Sequence, residues 1–212
     1  MLVKYHTFRS GKKYSYIETE SGPVFLRNVA FLTPKDDPET IVVVHEWGKK
    51  SNTATWEPPK GQMEWKEFEF PGKSKVATMS EFLQGMKRGL LREIEEEAKI
   101  PPRAIHTLRP LPIQYSQDWP DCEVPRARFL YQFWHGTISP TALKTAQRAM
   151  HALVERVAHA ATGGKENTIP ADIREKDAVE FWNPRAGWTP LRGLFSKKMT
   201  HMYYKYLERH GV

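Results

Sequence analysis

The chain contains a single cysteine, Cys122, among 212 residues. One thiol excludes an intramolecular disulfide and a cysteine-rich zinc site, and it fits a reducing compartment. No stretch comes near the roughly 18 apolar residues of a membrane span. The opening segment, MLVKYHTFRSGKKYSY, lacks the apolar core of a secretory leader. There is no internal repeat and no long low-complexity tract, and none of the eight histidines has metal-ligand spacing. The expected setting is cytoplasm or nucleus, away from membranes.

Apolar residues make up 40% of the chain and charged residues 27%, the composition of an ordinary globular protein with a buried core. The length suits one domain, 1–212, with decorations. A net charge of +7 and a pI near 9.4 favour polyanionic partners such as nucleic acid, nucleotides or inositol phosphates.

The apolar patterning alternates between strand and helix. Val24–Thr33 and Ile41–Trp47 read as strands around the turn signal PKDDPE. Gly48–Thr55 reads as a polar loop, and WEPPKGQMEWKE as a structured loop rather than a regular element. Thr78-Met-Ser-Glu81 has the form of a capping box. It opens a helix whose apolar positions are Leu83, Met86, Leu90, Ile94 and Ala98, weakened by Gly85 and Gly89 and ended by Pro101-Pro102. Ala127–His135 is a strand. Ser139-Pro140 opens a second helix with the stripe Leu143, Ala146, Met150, Leu153, Val157 and Ala161, ended by Gly163-Gly164. Lys165–Lys176 reads as a loop and Ala178–Trp182 as a strand. Thr189-Pro190 opens a last helix with Leu191, Leu194, Phe195, Met202, Tyr203 and Tyr206 inward. The class is α/β, a mixed sheet sandwiched by helices.

The sharpest feature is Arg92-Glu-Ile-Glu-Glu-Glu-Ala-Lys-Ile100. At about 100° per residue, Glu93, Glu96 and Glu97 share one arc beside the apolar stripe. Three like charges so close repel one another, whereas Mg²⁺ or Mn²⁺ among such oxygen ligands would neutralise them. An exposed, lysine-paired glutamate flank would explain EIEEE taken alone.

Upstream lies Pro59-Lys60-Gly61-Gln-Met-Glu-Trp-Lys-Glu67. Together the two segments resemble the signature of Nudix hydrolases, G-x5-E-x7-R-E-U-x-E-E-x-G-U. Gly61 and Glu67 match its first part; Arg92, Glu93, Ile94, Glu96, Glu97 and Ile100 match its second. The lead-in Trp56-Glu-Pro-Pro-Lys-Gly61 is similar to that of diadenosine-polyphosphate members, and Pro-Lys-Gly to mRNA-decapping and some diphosphoinositol-polyphosphate members. There are two departures. Twenty-four residues, 68–91, stand where the signature has seven, so an insertion at 68–85 must form a loop and lengthen the front of the helix. Lys99 stands at the signature's glycine, and Pro101 offers another way to end the helix.

The resemblance implies a Nudix-type α/β/α sandwich with an enlarged loop before the catalytic helix and an extra helical insertion at 139–177. It implies a Mg²⁺- or Mn²⁺-dependent hydrolase that cleaves a phosphoanhydride bond in a nucleoside-diphosphate-linked substrate. Capped mRNA stands ahead of dinucleoside polyphosphates and diphosphoinositol polyphosphates, and the alternative is a Nudix-fold RNA-binding or regulatory module without catalysis. A structural α/β domain with an acidic helix is a third reading. The expected catalytic set is Glu67, Arg92, Glu93, Glu96 and Glu97. The three helix glutamates are metal ligands, and Arg92 holds them in place by an ion pair with a partner such as Glu67. The general base stays open between a helix glutamate and a distant one, Glu123 or Glu180. Gly61 permits a tight loop; Lys60, Lys49 and Lys50 meet substrate phosphates. Lys66 joins them as positive charge near the cleft, suited to a phosphate-rich substrate, and Lys73, Lys75, Lys87 and Arg88 add charge suited to an RNA backbone. Trp65 and Trp119 are the loop tryptophans available for base stacking, while Trp47, Trp134 and Trp182 belong to the core.

Overall fold

The computed structural model describes residues 1–49, 55–68, 72, 74–163, 168–186, 191 and 193–210. The expectations placed on Lys50, Lys73, Gly164 and Thr189-Pro190 fall outside these residues, as do the side chains of Leu194 and Phe195. The described strands are β1 (Leu2–Thr7), β2 (Lys13–Thr19), β3 (Gly22–Thr33), β4 (Ile41–Glu46), β5 (Trp56–Glu57), β6 (Lys60–Gln62), β7 (Ser74–Val76), β8 (Ile105–Asp118), β9 (Arg128–Ile138) and β10 (Lys176–Trp182). The α-helices are α1 (Met79–Ala98), α2 (Pro140–Thr162) and α3 (Gly193–His210). The α/β class is as expected.

One sheet has the order β7-β1-β2-β3-β9-β8, with β6 pairing β3, and a second has the order β10-β4-β5. The pairs β1–β2, β1–β7, β2–β3, β3–β6, β4–β5 and β4–β10 are antiparallel. Side-chain partners rise together along β3 and β9: Arg27 with Tyr131, Asn28 with Trp134, Thr33 with His135. These two strands therefore run parallel, and the larger sheet is mixed.

The chain divides into two compact units. Unit one comprises Met1–Val29, Lys60–Arg92 and Pro110–Trp134; unit two comprises Ala30–Pro59, Glu93–Arg109 and His135–Val212. In unit one the buried amide of Asn28 ties three elements together. It donates to the Met86 carbonyl at 2.9 Å and accepts from the Trp134 indole at 2.8 Å. A buried amide so satisfied fixes the register of β3 against α1 and β9. In unit two, Ile41–Val44 of β4 are fully buried, and Phe31 stacks on Tyr203 of α3 at 4.2 Å. Helix α2 buries Leu143 to Val157 and reaches the Val179 carbonyl of β10 through Gln147; Ala161, expected on that stripe, is exposed.

Three local expectations change in whole or in part. The Pro-rich segment before Glu67 is not a loop throughout: it forms β5 and β6 and the 3₁₀ turn Trp65–Phe68. The segment 68–85 lengthens the front of the helix, as expected, and its described residues also add a strand. It supplies β7, which lies on the edge of the sheet beside β1, and the first two turns of α1. The cap of α1 is a closed box: Thr78 N donates to Glu81 Oε2 at 2.8 Å, and Glu81 N to Thr78 Oγ1 at 3.2 Å. Third, α1 ends on Lys99 itself, which takes a left-handed conformation at φ 58° rather than leaving Pro101 to stop the helix. That is the conformation for which a helix terminus ordinarily uses glycine. Its amide donates to the Glu95 carbonyl at 3.1 Å.

Two predictions follow from the ends of α1. The Lys75 ammonium and the Thr78 bonds hold the exposed Glu81 carboxyl down at about 2, below its ordinary 4.5. A depressed folded value adds stability above 4.5 that disappears as pH falls toward 2. Glu81→Gln should therefore be less stable than the parent at neutral pH, and urea unfolding curves of the two should converge on acidification. At the other end, Lys99→Gly should raise stability by about 1 kcal/mol by relieving the left-handed side chain, read from the denaturation midpoint.

Candidate functional site

In unit one, the 3₁₀ turn Trp65–Phe68 and the Met63 side chain just before it lie so close to α1 that side chains at two helix positions would collide with them. A Cβ at Gly85 would meet the Phe68 ring at 2.4 Å, and one at Gly89 the Met63 sulfur at 2.6 Å. Both glycines weaken the helix by propensity, and Gly85 leaves the room that the Phe68 ring of the turn occupies. Arg88 Nε donates to the Glu67 carbonyl at 2.6 Å, and Arg92 Nε to Glu67 Oε1 at 2.5 Å. Arg92 also lies 3.8 Å from Glu64. Glu67 is buried, and its Oε2 has no hydrogen bond among the described residues. Burial pushes the Glu67 carboxyl above its ordinary value, against the opposing pull of Arg92. Lys60 and Gly61 lie on β6 opposite Val29 and Asn28. Gly61 is not among the positive-φ glycines, so its backbone is strand rather than the expected tight loop.

In unit two, Glu93 and Glu96 are half-buried on the last turns of α1, and Glu97 is buried. Glu97 faces a lysine that the sequence did not single out. Lys176 Nζ donates to Glu57 Oε1 at 2.6 Å and lies 3.4 Å from Glu97 Oε1. Relative exposures are 2% for Glu57, 6% for Glu97 and 5% for Lys176. Ser196 Oγ of α3 donates to the other Glu57 oxygen at 3.5 Å. Burial pulls the Lys176 ammonium down, but Glu97 and Glu57 outweigh it and hold its pKa above the ordinary lysine value.

A bulge positions Lys176. The register of β10 on β4 slips between Lys176, opposite Glu46, and Ala178, opposite His45. The extra residue, Asp177, accepts from His45 Nδ1 at 2.5 Å and from the Gly48 amide at 2.8 Å. Strand parity then puts Lys176 on the face of the small sheet that also carries Val44 and Glu57. Glu180, opposite Val43, is on the other face and exposed, so it does not join Glu57 and Lys176.

The donor chemistry around Glu93, Glu96 and Glu97, all oxygen, suits a hard divalent cation such as Mg²⁺ or Mn²⁺. Yet no group of three or more His, Cys, Asp or Glu side chains is gathered to hold a metal ion among the described residues. Glu97 is instead turned to Lys176.

The remaining sequence candidates are dispersed. Glu123 accepts from His6 at 2.9 Å in unit one. Lys66 is paired with Glu64, Lys75 with Glu81, and Arg88 with the Glu67 carbonyl, so these three cations are engaged within the fold. Lys49 and Lys87 are exposed. Trp65 is 9% exposed against Tyr5, and Trp119 stacks on Phe129 at 4.2 Å. Trp65 is thus a packing residue, not an open platform for a base. In the sequence Glu57 is part of the Trp56–Gly61 lead-in and Lys176 ends the Lys165–Lys176 segment, with nothing to set either apart. A lysine at a buried strand position is the one signal that would have marked it.

No protein-family model matches the chain, and no curated protein does. Its solved structural neighbours include Nudix-domain proteins. The NUDIX domain of Shewanella oneidensis NrtR, complexed with ADP ribose, is 12% identical, with 86% of this chain and 87% of that one covered at a TM-score of 0.44. A NUDIX hydrolase from Nitrosomonas europaea is 13% identical (86% and 88% covered, TM-score 0.41), and a mutT/nudix family protein from Listeria innocua 14% identical (88% and 94%, TM-score 0.43).

Arg92→Ala should cost about 2 kcal/mol, because it leaves the buried Glu67 carboxylate without its cation. Urea unfolding near neutral pH measures the loss. Because protonation of Glu67 removes the need for a cation, the deficit should shrink as pH is lowered.

Proposed function

We propose that this chain is a Nudix-type hydrolase that cleaves a phosphoanhydride bond in a substrate joining a nucleoside diphosphate to a second group. One observation carries the reading: the helix that presents Glu93 and Glu96 within one turn also presents Arg92, bonded at 2.5 Å to the Glu67 that the split signature pairs with it. Residues 25 apart in sequence and matched by one motif are joined by an ion pair.

The residues divide the work. Arg92 and Arg88 fasten α1 to the 3₁₀ turn. Glu93 and Glu96 would hold Mg²⁺ or Mn²⁺. When bound, the ion supplies charge neutralisation at phosphate oxygens and a water of lowered pKa. Substrate phosphates fall to Lys60, Gly61, Lys49 and Lys50, with lysine acting as a point charge. The net charge of +7 favours the more anionic substrates, RNA or inositol phosphates, and capped RNA stands first because the chain exceeds a minimal Nudix domain and carries an extra basic loop and helix. Dinucleoside and diphosphoinositol polyphosphates follow.

A second reading, a Nudix-fold binding or regulatory module without catalysis, is favoured by the engagement of Glu97 with Lys176 and by the lack of a gathered metal group among the described residues.

A side-by-side assay separates them. The purified protein with Mn²⁺ is offered cap-labelled RNA, diadenosine tetraphosphate and a diphosphoinositol phosphate. Cleavage of at least one is expected, with Glu96→Gln slower by roughly 100-fold. Absence of cleavage, or equal rates for parent and variant, would leave the binding reading standing.

A further inference from the structure

We propose that Lys176 is a resident cation of the acidic cluster, holding Glu57 and Glu97 together in the absence of a metal ion and withholding Glu97 from metal coordination until the lysine is displaced. The inference rests on the reading of Glu93 and Glu96 as metal holders. It adds an internal competitor for the ion.

The geometry carries it. Two carboxylates approach one ammonium at 2.6 and 3.4 Å, with all three side chains at least nine-tenths buried. Two buried carboxylates facing each other would repel strongly, and a cation between them removes that cost. A divalent ion would serve the same purpose, but it cannot share the space with an ammonium: two cations a few ångströms apart in a low-dielectric interior repel as strongly as the carboxylates attract. Lysine and metal are therefore alternatives at Glu97.

The lysine is not a loose surface side chain that has folded in. The bulge at Asp177 sets its direction. Asp177 is itself anchored by His45 and the Gly48 amide, and the preceding Glu175 carbonyl accepts from the Trp47 amide at 3.0 Å. The Glu57 carboxylate is braced by Ser196. A backbone device that aims one ammonium at two acids is more than a helix flank needs, since an exposed lysine on the next turn would neutralise a solvated glutamate. The consequence is a chain whose free form takes up divalent ions weakly, with phosphate oxygens of a bound substrate supplying ligands that Glu97 does not.

Mn²⁺ binding to the full chain without substrate, followed by electron paramagnetic resonance, tests this together with thermal unfolding. Lys176→Met should bind Mn²⁺ about tenfold more tightly than the parent, because the ammonium no longer competes with the ion for Glu97. Without metal its Tm should fall, and saturating Mn²⁺ should recover most of the loss while moving the parent's Tm little. Glu97→Gln in the parent background should change Mn²⁺ affinity less than about twofold, whereas in Lys176→Met it should abolish the gain. Mn²⁺ binding by Lys176→Met no tighter than by the parent would overturn the proposal. So would a tenfold loss from Glu97→Gln alone, and this arm decides the matter if Lys176→Met does not fold. Failure of the hydrolase reading would show separately, as no cleavage of any substrate in the panel, with the Mn²⁺ measurements unaffected.

Discussion

A buried carboxylate needs a cation, and in unit two the Lys176 ammonium lies against two of them. The ammonium of Lys176 lets Glu57 of β5 and Glu97 of α1 remain charged while almost wholly out of water. Much of the local architecture serves this contact. The bulge in β10 turns Lys176 to the right face, the Asp177–His45 bond holds the bulge, and Ser196 of α3 closes over Glu57.

Unit one solves a related problem by other means. Glu67 is also buried, but its partner is an arginine reached along the helix face, and close approach comes from the absence of side chains at Gly85 and Gly89. Arginine suits a fixed, directional bond between two rigid elements; lysine, with a compact charge on a flexible stem, suits a cation that can be exchanged. The two ion pairs differ in chemistry as they differ in use: one fastens the helix and the other occupies its acidic end.

Much of this was legible in the sequence, and the exceptions have physical causes. The capping box at Thr78, the stripe through Ile94 and the Ser139-Pro140 start each depend on neighbours within one helical turn, so local patterning carries them. The pairing of Arg92 with Glu67 depends on residues 25 apart and was readable only through a motif that records it. Strand β8 is hidden in the sequence by Pro110 and Pro112, which are tolerated because β8 is an edge of its sheet. The left-handed Lys99 was hidden because lysine gives no local sign of positive φ. Lys176 was missed for a more general reason: its burial is decided by the register of β10 on β4 and by one extra residue at a bulge, and neither leaves a trace in composition or period.

The strand pairings also govern the order in which the protein can assemble during synthesis. β3 and β4 carry the longest apolar runs, yet their neighbours β9 and β10 arrive more than a hundred residues later: Asn28 waits for Trp134 and His45 for Asp177, separations of 106 and 132. Until then a growing chain can pair Leu26–Thr33 only with β6 and Ile41–Val44 only with β5. Such segments are prone to pairing with other chains. Slow, non-local closure of this kind makes the nascent protein a natural client for chaperones, and its yield on expression should depend more on translation speed and temperature than on the stability of the finished fold.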